Sequence, residues 1–149
     1  MAQEPDLSFG GVAIPFVDEL GFRLKEFADG RSRIEYEPRR EHMNSFAVAH
    51  GGAVMTLLDV GMATAARSVQ DDMGVVTIEM KTSFMRPSKG LLTCRSRLMH
   101  RTASMAFVEA TVCDAQDQPC AHATGTFKYV KRRPLDAGSA DAPGVISTD

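Results

Sequence analysis

Asn44-Ser45-Phe46-Ala47-Val48-Ala49-His50-Gly51-Gly52 runs straight into Ala53-Val54-Met55-Thr56-Leu57-Leu58-Asp59-Val60-Gly61-Met62-Ala63-Thr64-Ala65-Ala66. The first half reads as an extended polar loop, the second as a helix of three to four turns that opens on two glycines. Val54, Leu57, Leu58, Gly61 and Ala65 make one stripe at helical spacing, and Met55, Ala63 and Ala66 fall on the other sides. A helix apolar all round is a buried helix or a membrane span. Between Gly51 and Ala66 the only ionisable side chain is Asp59. In such a helix its carboxylate has given up water without an obvious partner, the kind of setting in which enzymes place a base. Asp59 lies about eight residues past the helix start, too deep to serve as the N-cap. A paired or solvated structural carboxylate is the alternative.

His50 taken alone reads as a loop or capping histidine, and Gly51-Gly52 taken alone as close packing. Together they describe a helix N-terminus with sterically open amides, a site for a carbonyl oxygen or an anion. Asp59 follows His50 by nine residues, two and a half turns and roughly 13 Å along a regular helix. One chain cannot bring both groups to the same atom. If both act on one substrate, two chains must pair so that one helix start faces the middle of the other helix.

Outward from this stretch the pattern is one of strands. Leu20-Gly21-Phe22-Arg23-Leu24-Lys25 and Arg33-Ile34-Glu35-Tyr36-Glu37 alternate apolar and polar around the turn dipeptide Asp29-Gly30, which predicts a β-hairpin. Four more alternating runs follow the helix, at about 75–84, 91–100, 105–113 and 120–130. In the first of them Val76, Ile78, Met80 and Phe84 fall opposite Thr77, Glu79, Lys81 and Ser83. The connections, 86–90 among them, are short enough for antiparallel neighbours. Residues 7–19 suit a short helix or turn around Pro15-Phe16. One long apolar helix and about six antiparallel strands are most simply reconciled by a curved sheet wrapped around the helix, an α+β fold.

Asn-x5-His-Gly-Gly, Asp seven residues after the second glycine, and Val76-Thr77-Ile78-Glu79-Met80-Lys81-Thr82-Ser83-Phe84-Met85-Arg86-Pro87 resemble the hotdog-fold acyl-CoA thioesterases, nearest their PaaI-type (phenylacetate-degradation) group. The resemblance covers about residues 15–130. It implies a hotdog fold and hydrolysis of an acyl-CoA to acid and CoA, without a cofactor or metal. It further implies catalytic roles for Asn44, His50, Gly51, Asp59 and Thr77: the Gly51 amide polarises the carbonyl, and the partner chain's Asp59 acts as general base or nucleophile. Asn44 and His50 would orient water and thioester. Contacts to substrate and CoA fall on Gly52, Phe84, Arg86, Pro87, Ser88, Lys89, Arg101 and Ser104. A homodimer with shared sites, within a homotetramer, is also implied. Strand alternation alone turns Thr77 away from the face carrying Ile78, so its role rests on the resemblance. Hotdog hydratases share the fold, but their Asp-x-Asn-Pro-x-His type of motif is absent between His42 and His50. A non-catalytic acyl-CoA-binding protein would keep the pocket without needing an ionised Asp59.

Composition bounds the rest. The 149 residues, 44% hydrophobic, suffice for one domain with a sizeable core. We expect an N-terminal extension at 1–14, the domain at 15–131 and, from its Pro, Gly, Ser and Asp content, a disordered tail at 132–149. A net charge of −2 argues against nucleic acid as the main partner. No apolar run approaches the ~20 residues of a membrane span, and no secretory signal opens the chain. A cytoplasmic protein is expected. Cys94, Cys113 and Cys120 form an odd set without a CxxC pair, which suggests neither a disulfide framework nor a zinc site.

Overall fold

The computed structural model describes residues 8–132, so most of the proposed C-terminal tail and the first seven residues lie outside it. In chain order come a single turn α1 (Ser8–Gly11), α2 (Pro15–Leu20), β1 (Arg23–Ala28), β2 (Arg31–Tyr36), a short 3-10 turn (Arg40–His42), α3 (Gly51–Arg67), β3 (Met73–Phe84), β4 (Leu92–Arg101), β5 (Met105–Cys113) and β6 (Pro119–Lys131). The strands form one antiparallel sheet in the order β1-β2-β4-β5-β6-β3, with β1 and β3 at its edges. Asp29 and Gly30 both take left-handed φ, 54° and 76°, so the first hairpin turns as its dipeptide predicts.

The sheet curls around one side of α3. Leu57, Leu58, Met62, Ala65 and Ala66 are fully buried against Ile34, Leu92, Cys94, Val112 and Phe127. Helix and β4 leave no room for a side chain at Gly61, where a Cβ would stand 2.6 Å from Ser96 Oγ and 2.9 Å from Cys94 Sγ. Ser32 Oγ donates to the Gly61 carbonyl at 2.7 Å and Tyr129 donates its phenol to the Ala66 carbonyl at 2.7 Å, tying the helix to strands on both sides. Gly61→Val should lower stability by about 1–3 kcal/mol through overpacking, outweighing the ~1 kcal/mol or less that leaving glycine returns to a helix. Denaturant titration checks this, and an unchanged midpoint would mean that helix and sheet can separate freely there.

Three expectations need correction. The helix is not covered all round: Gly52 and Met55 are exposed and Thr56, Asp59, Val60 and Ala63 are half-buried, because the sheet of one chain reaches only one side. β3 and β4 are not neighbours, although only residues 85–91 join them. Seven extended residues reach about 23 Å, whereas three strand spacings are about 14 Å, so a short link can cross the mouth of a curled sheet. It is held there by Ser88, whose carbonyl accepts the Ala49 N–H at 2.9 Å. Finally, β3 does not alternate evenly. Its register to β6 slips between Thr77 and Glu79, leaving Ile78 as the extra residue of a bulge. Thr77 and Met80, opposite in a regular strand, therefore both pair with helix-facing positions of β6, Phe127 and Gly125.

Candidate active site

The bulge decides where Thr77 points. Its Oγ1 donates to Asp59 Oδ1 at 2.6 Å, so the carboxylate that seemed to lack a partner has one on the neighbouring strand. One carboxylate oxygen is thereby fixed by a charge-assisted hydrogen bond. Ile78 is turned outward and 53% exposed. Two cavities meet at this pair. The first, about 310 Å³, runs along the N-terminal half of α3 past Gly52, Met55, Thr56 and Met80. The second, about 300 Å³, runs along the C-terminal half past Val60, Ala63 and Val75 to Arg67 and Arg132, roofed by Val12 and Ile14.

The start of α3 is built differently from the sequence expectation. His50 is the N-cap, and its Nδ1 accepts the Gly52 N–H at 2.8 Å. Gly52 therefore offers no open amide; a Cβ there would stand 3.0 Å from that nitrogen. With Nδ1 accepting, the neutral ring carries its proton on Nε2. Among the described residues the Gly51 N–H has no acceptor, which leaves it as the free donor at the positive end of the helix. The Phe84 ring lies 3.7 Å from where a Gly51 Cβ would be, and forms a wall beside that amide. The His50 N–H donates to the His42 carbonyl at 2.8 Å. His42 in turn takes the Tyr36 phenol on Nδ1 at 2.8 Å. Burial pushes the Tyr36 phenol up to about 12, so it stays a donor across the neutral range, with Arg39 opposing the shift.

The other residues expected at the site separate into groups. Asn44 uses its side-chain oxygen within its own loop, accepting the Phe46 N–H at 2.9 Å, and Ala47 adopts a left-handed φ of 57° to close that turn. Phe84 ends β3, and Arg86, Pro87, Ser88 and Lys89 lie on the link that passes the start of α3. Arg86 donates to the Pro119 carbonyl at 2.8 Å, Lys89 is exposed and Ser88 is buried. Arg101 and Ser104 sit near the far end of the helix. Arg101 is committed to Gln70 and stacks over the Tyr129 ring at 4.6 Å, and the Ser104 carbonyl accepts the Tyr129 N–H at 2.8 Å. One chain thus joins Asp59 to Thr77, and His50 and Gly51 to Phe84. The two groups stay about 12 Å apart along the helix axis.

One charged residue lining the second cavity escaped the sequence reading. Arg67 closes α3, is 5% exposed and donates to the carbonyls of Phe9 at 2.9 Å and Gly10 at 3.3 Å. Among the described residues its Nε–H has no acceptor. Burial, with nearby Arg132 adding to it, pushes its guanidinium down to about 10, while Asp71 acts in the opposite sense. Nothing in the spacing of the His-Gly-Gly motif points to a residue sixteen positions past Gly51.

Comparison with known proteins fits this architecture. The sequence profile of the thioesterase superfamily matches residues 46–121, from the Asn44 loop into β6. A Saccharolobus solfataricus protein named "Putative esterase SSO2140" is 31% identical over 119 residues, covering 79% of this chain and 84% of that one. The structure of the conserved protein PA5202 from Pseudomonas aeruginosa superposes with a TM-score of 0.75 at 28% identity, over 78% of this chain and 94% of that one. The PaaI protein of E. coli, from the phenylacetic acid degradation operon, superposes equally well, TM-score 0.75, over 79% and 86% of the two chains. At 18% identity that last likeness speaks for the fold alone.

Proposed function

This chain belongs to the thioesterase superfamily and has its hotdog fold, and from that premise we propose that it hydrolyses acyl-CoA thioesters at sites shared between two copies. The observation that carries the reading is the Thr77 hydroxyl on Asp59 at 2.6 Å, on the open face of α3 and beside the edge strand β3. A second copy laid along β3 extends the sheet and covers that face, bringing its own helix start towards Asp59. Dimers of this kind pair further into a tetramer. The thioester oxygen then meets the partner's Gly51 amide, which stabilises the charge developing on it. Asp59, held by Thr77, takes a proton from water as the water oxygen bonds to the carbonyl carbon. Direct attack by the carboxylate, forming a mixed anhydride that water then opens, uses the same geometry. The C–S bond breaks and CoA leaves as the thiolate, which takes up the proton that Asp59 drew from water, or, in the anhydride route, a proton from solvent.

His50 and Asn44 order the loop and helix start that aim the amide. Gly52 serves the same end by satisfying the His50 ring, and the Phe84 ring borders the pocket. Arg86, Pro87, Ser88 and Lys89 lie at its mouth, where the cations meet CoA phosphates. Arg101 and Ser104 shape the opposite rim through Tyr129 and Gln70. Among the described residues no helix is long and apolar enough to cross a membrane, and three unpaired cysteines suit the reducing cytoplasm. The test is release of free thiol from a panel of aryl, phenylacetyl, medium-chain and long-chain acyl-CoAs. Turnover of at least one well above the uncatalysed rate is expected. Tight binding without turnover across the panel would make the protein an acyl-CoA carrier or sensor instead.

A further inference from the structure

Resting on that reading, we infer that the cavity between Asp59 and Arg67 takes the acyl half of the thioester and that Arg67 recognises an anionic group at its far end, so that the preferred substrates are monothioesters of dicarboxylic acids. The cavity has a reacting end and a recognition end. Asp59 and Thr77 stand at one, Arg67 at the other, with Val60, Ala63 and Val75 between them. Eight residues separate Asp59 from Arg67 on one regular helix, about 12 Å of axial rise, which suits an extended chain of medium length.

Arg67 is a poor choice for a merely structural residue at this place. It is 5% exposed, it stacks over the Phe27 ring at 5.7 Å, its two hydrogen bonds go to neutral carbonyls, and among the described residues its Nε–H is left without an acceptor. A second cation, Arg132, lines the same cavity and acts on it unfavourably. The C-terminal end of α3 and Asp71 offset part of the cost of burying this charge. What remains is the chemistry of an oxyanion site, two guanidinium groups beside a space whose lining, among the described residues, holds no carboxylate at that end.

A CoA phosphate could supply the same chemistry, but the cavity suits it less. The pantetheine arm carries amides that need hydrogen-bond partners, and the side chains of Val60, Ala63 and Val75 between the two ends offer none.

The experiment compares kcat/KM for suberoyl-CoA with that for octanoyl-CoA and for the monomethyl ester of suberoyl-CoA, which match in length and lack the charge. Wild-type protein should prefer suberoyl-CoA by about tenfold or more, and Arg67→Met should reduce that ratio by about tenfold or more. A wild-type preference for octanoyl-CoA overturns the inference without any variant. So does an Arg67→Met protein that keeps the ratio. Arg67→Lys, which retains charge, and Arg132→Gln, at an exposed position, should each give a smaller loss in the ratio and guard against a misfolded Arg67→Met. The same acids presented as N-acetylcysteamine thioesters carry no phosphate. Discrimination that persists there identifies the carboxylate as the bound anion, whereas an Arg67 effect confined to CoA esters identifies a phosphate and contradicts the inference. Calorimetric binding of free suberate against octanoate separates this inference from the reading it rests on. Suberate bound through Arg67 by a protein that hydrolyses no thioester would sink the thioesterase reading and leave the cavity's ligand in place. Hydrolysis without any preference for the carboxylate would do the reverse.

Discussion

Asp59→Asn should fold normally and lose about 100-fold or more in thioester turnover, the scale of a missing general base. The substitution preserves size and leaves the carbonyl oxygen able to accept the Thr77 hydroxyl, so the packing around α3 need not change. What it removes is the capacity to take a proton or to attack carbon. The effect should appear in kcat, because the carboxylate acts on the reacting centre and not on the remote CoA moiety. Thr77→Val is the companion measurement. It deletes the 2.6 Å hydrogen bond while keeping strand propensity. A hydrogen bond to a charged group contributes about 1.5–3 kcal/mol, so turnover should fall roughly 10- to 100-fold. A folded Asp59→Asn protein with near-normal turnover would remove Asp59 from the mechanism.

Much of this architecture is legible in the sequence because local rules and tertiary structure agree there. The apolar run predicts a helix over 51–66 and the observed one is Gly51–Arg67. Asp29-Gly30 fixes its hairpin, and the run at 105–113 coincides with β5. Pairing of edges is where local pattern fails. A five-residue connection such as 86–90 suits antiparallel neighbours on a flat sheet, but on a curled one it also bridges β3 to a strand three places away. Period-two alternation likewise cannot foresee a bulge. Ile78 looks like a core residue and Thr77 like a surface one until the inserted residue resets the strand, and then Thr77 faces Asp59.

The site was partly legible for the same reasons. His50 and Gly51 read as a helix start, and they are the N-cap and first residue of α3, because glycines after a capping residue have a local signature. That the His50 ring occupies the Gly52 amide depends on a side-chain rotamer, which spacing does not encode. Arg101 reads as a free loop cation, yet its guanidinium is taken up by Gln70 and Tyr129, residues distant in sequence. Arg67 reads as an ordinary basic residue in the last turn of a helix. The segment folding back through Phe9 and Gly10, with the Phe27 ring, helps to bury it.

The central claim is that each site draws its Asp59 and its helix start from different chains, and mixing two damaged proteins tests it most directly. Asp59→Asn keeps the helix start and lacks the base. His50→Ala keeps the base and disrupts the helix start, since its side chain caps the Gly52 amide. Loss of that cap costs about 0.5–2 kcal/mol, which a folded dimer tolerates, while the loosened helix start should impair turnover. When equal amounts are unfolded and refolded together, each site takes its two halves at random from two chains, so about a quarter of all sites should contain both intact halves. The mixture is therefore predicted to recover about a quarter of wild-type activity from two nearly inactive parents. If mass analysis confirms mixed dimers and the activity stays at the level of the parents, His50 and Asp59 serve one chain's own site, and the shared-site account is wrong.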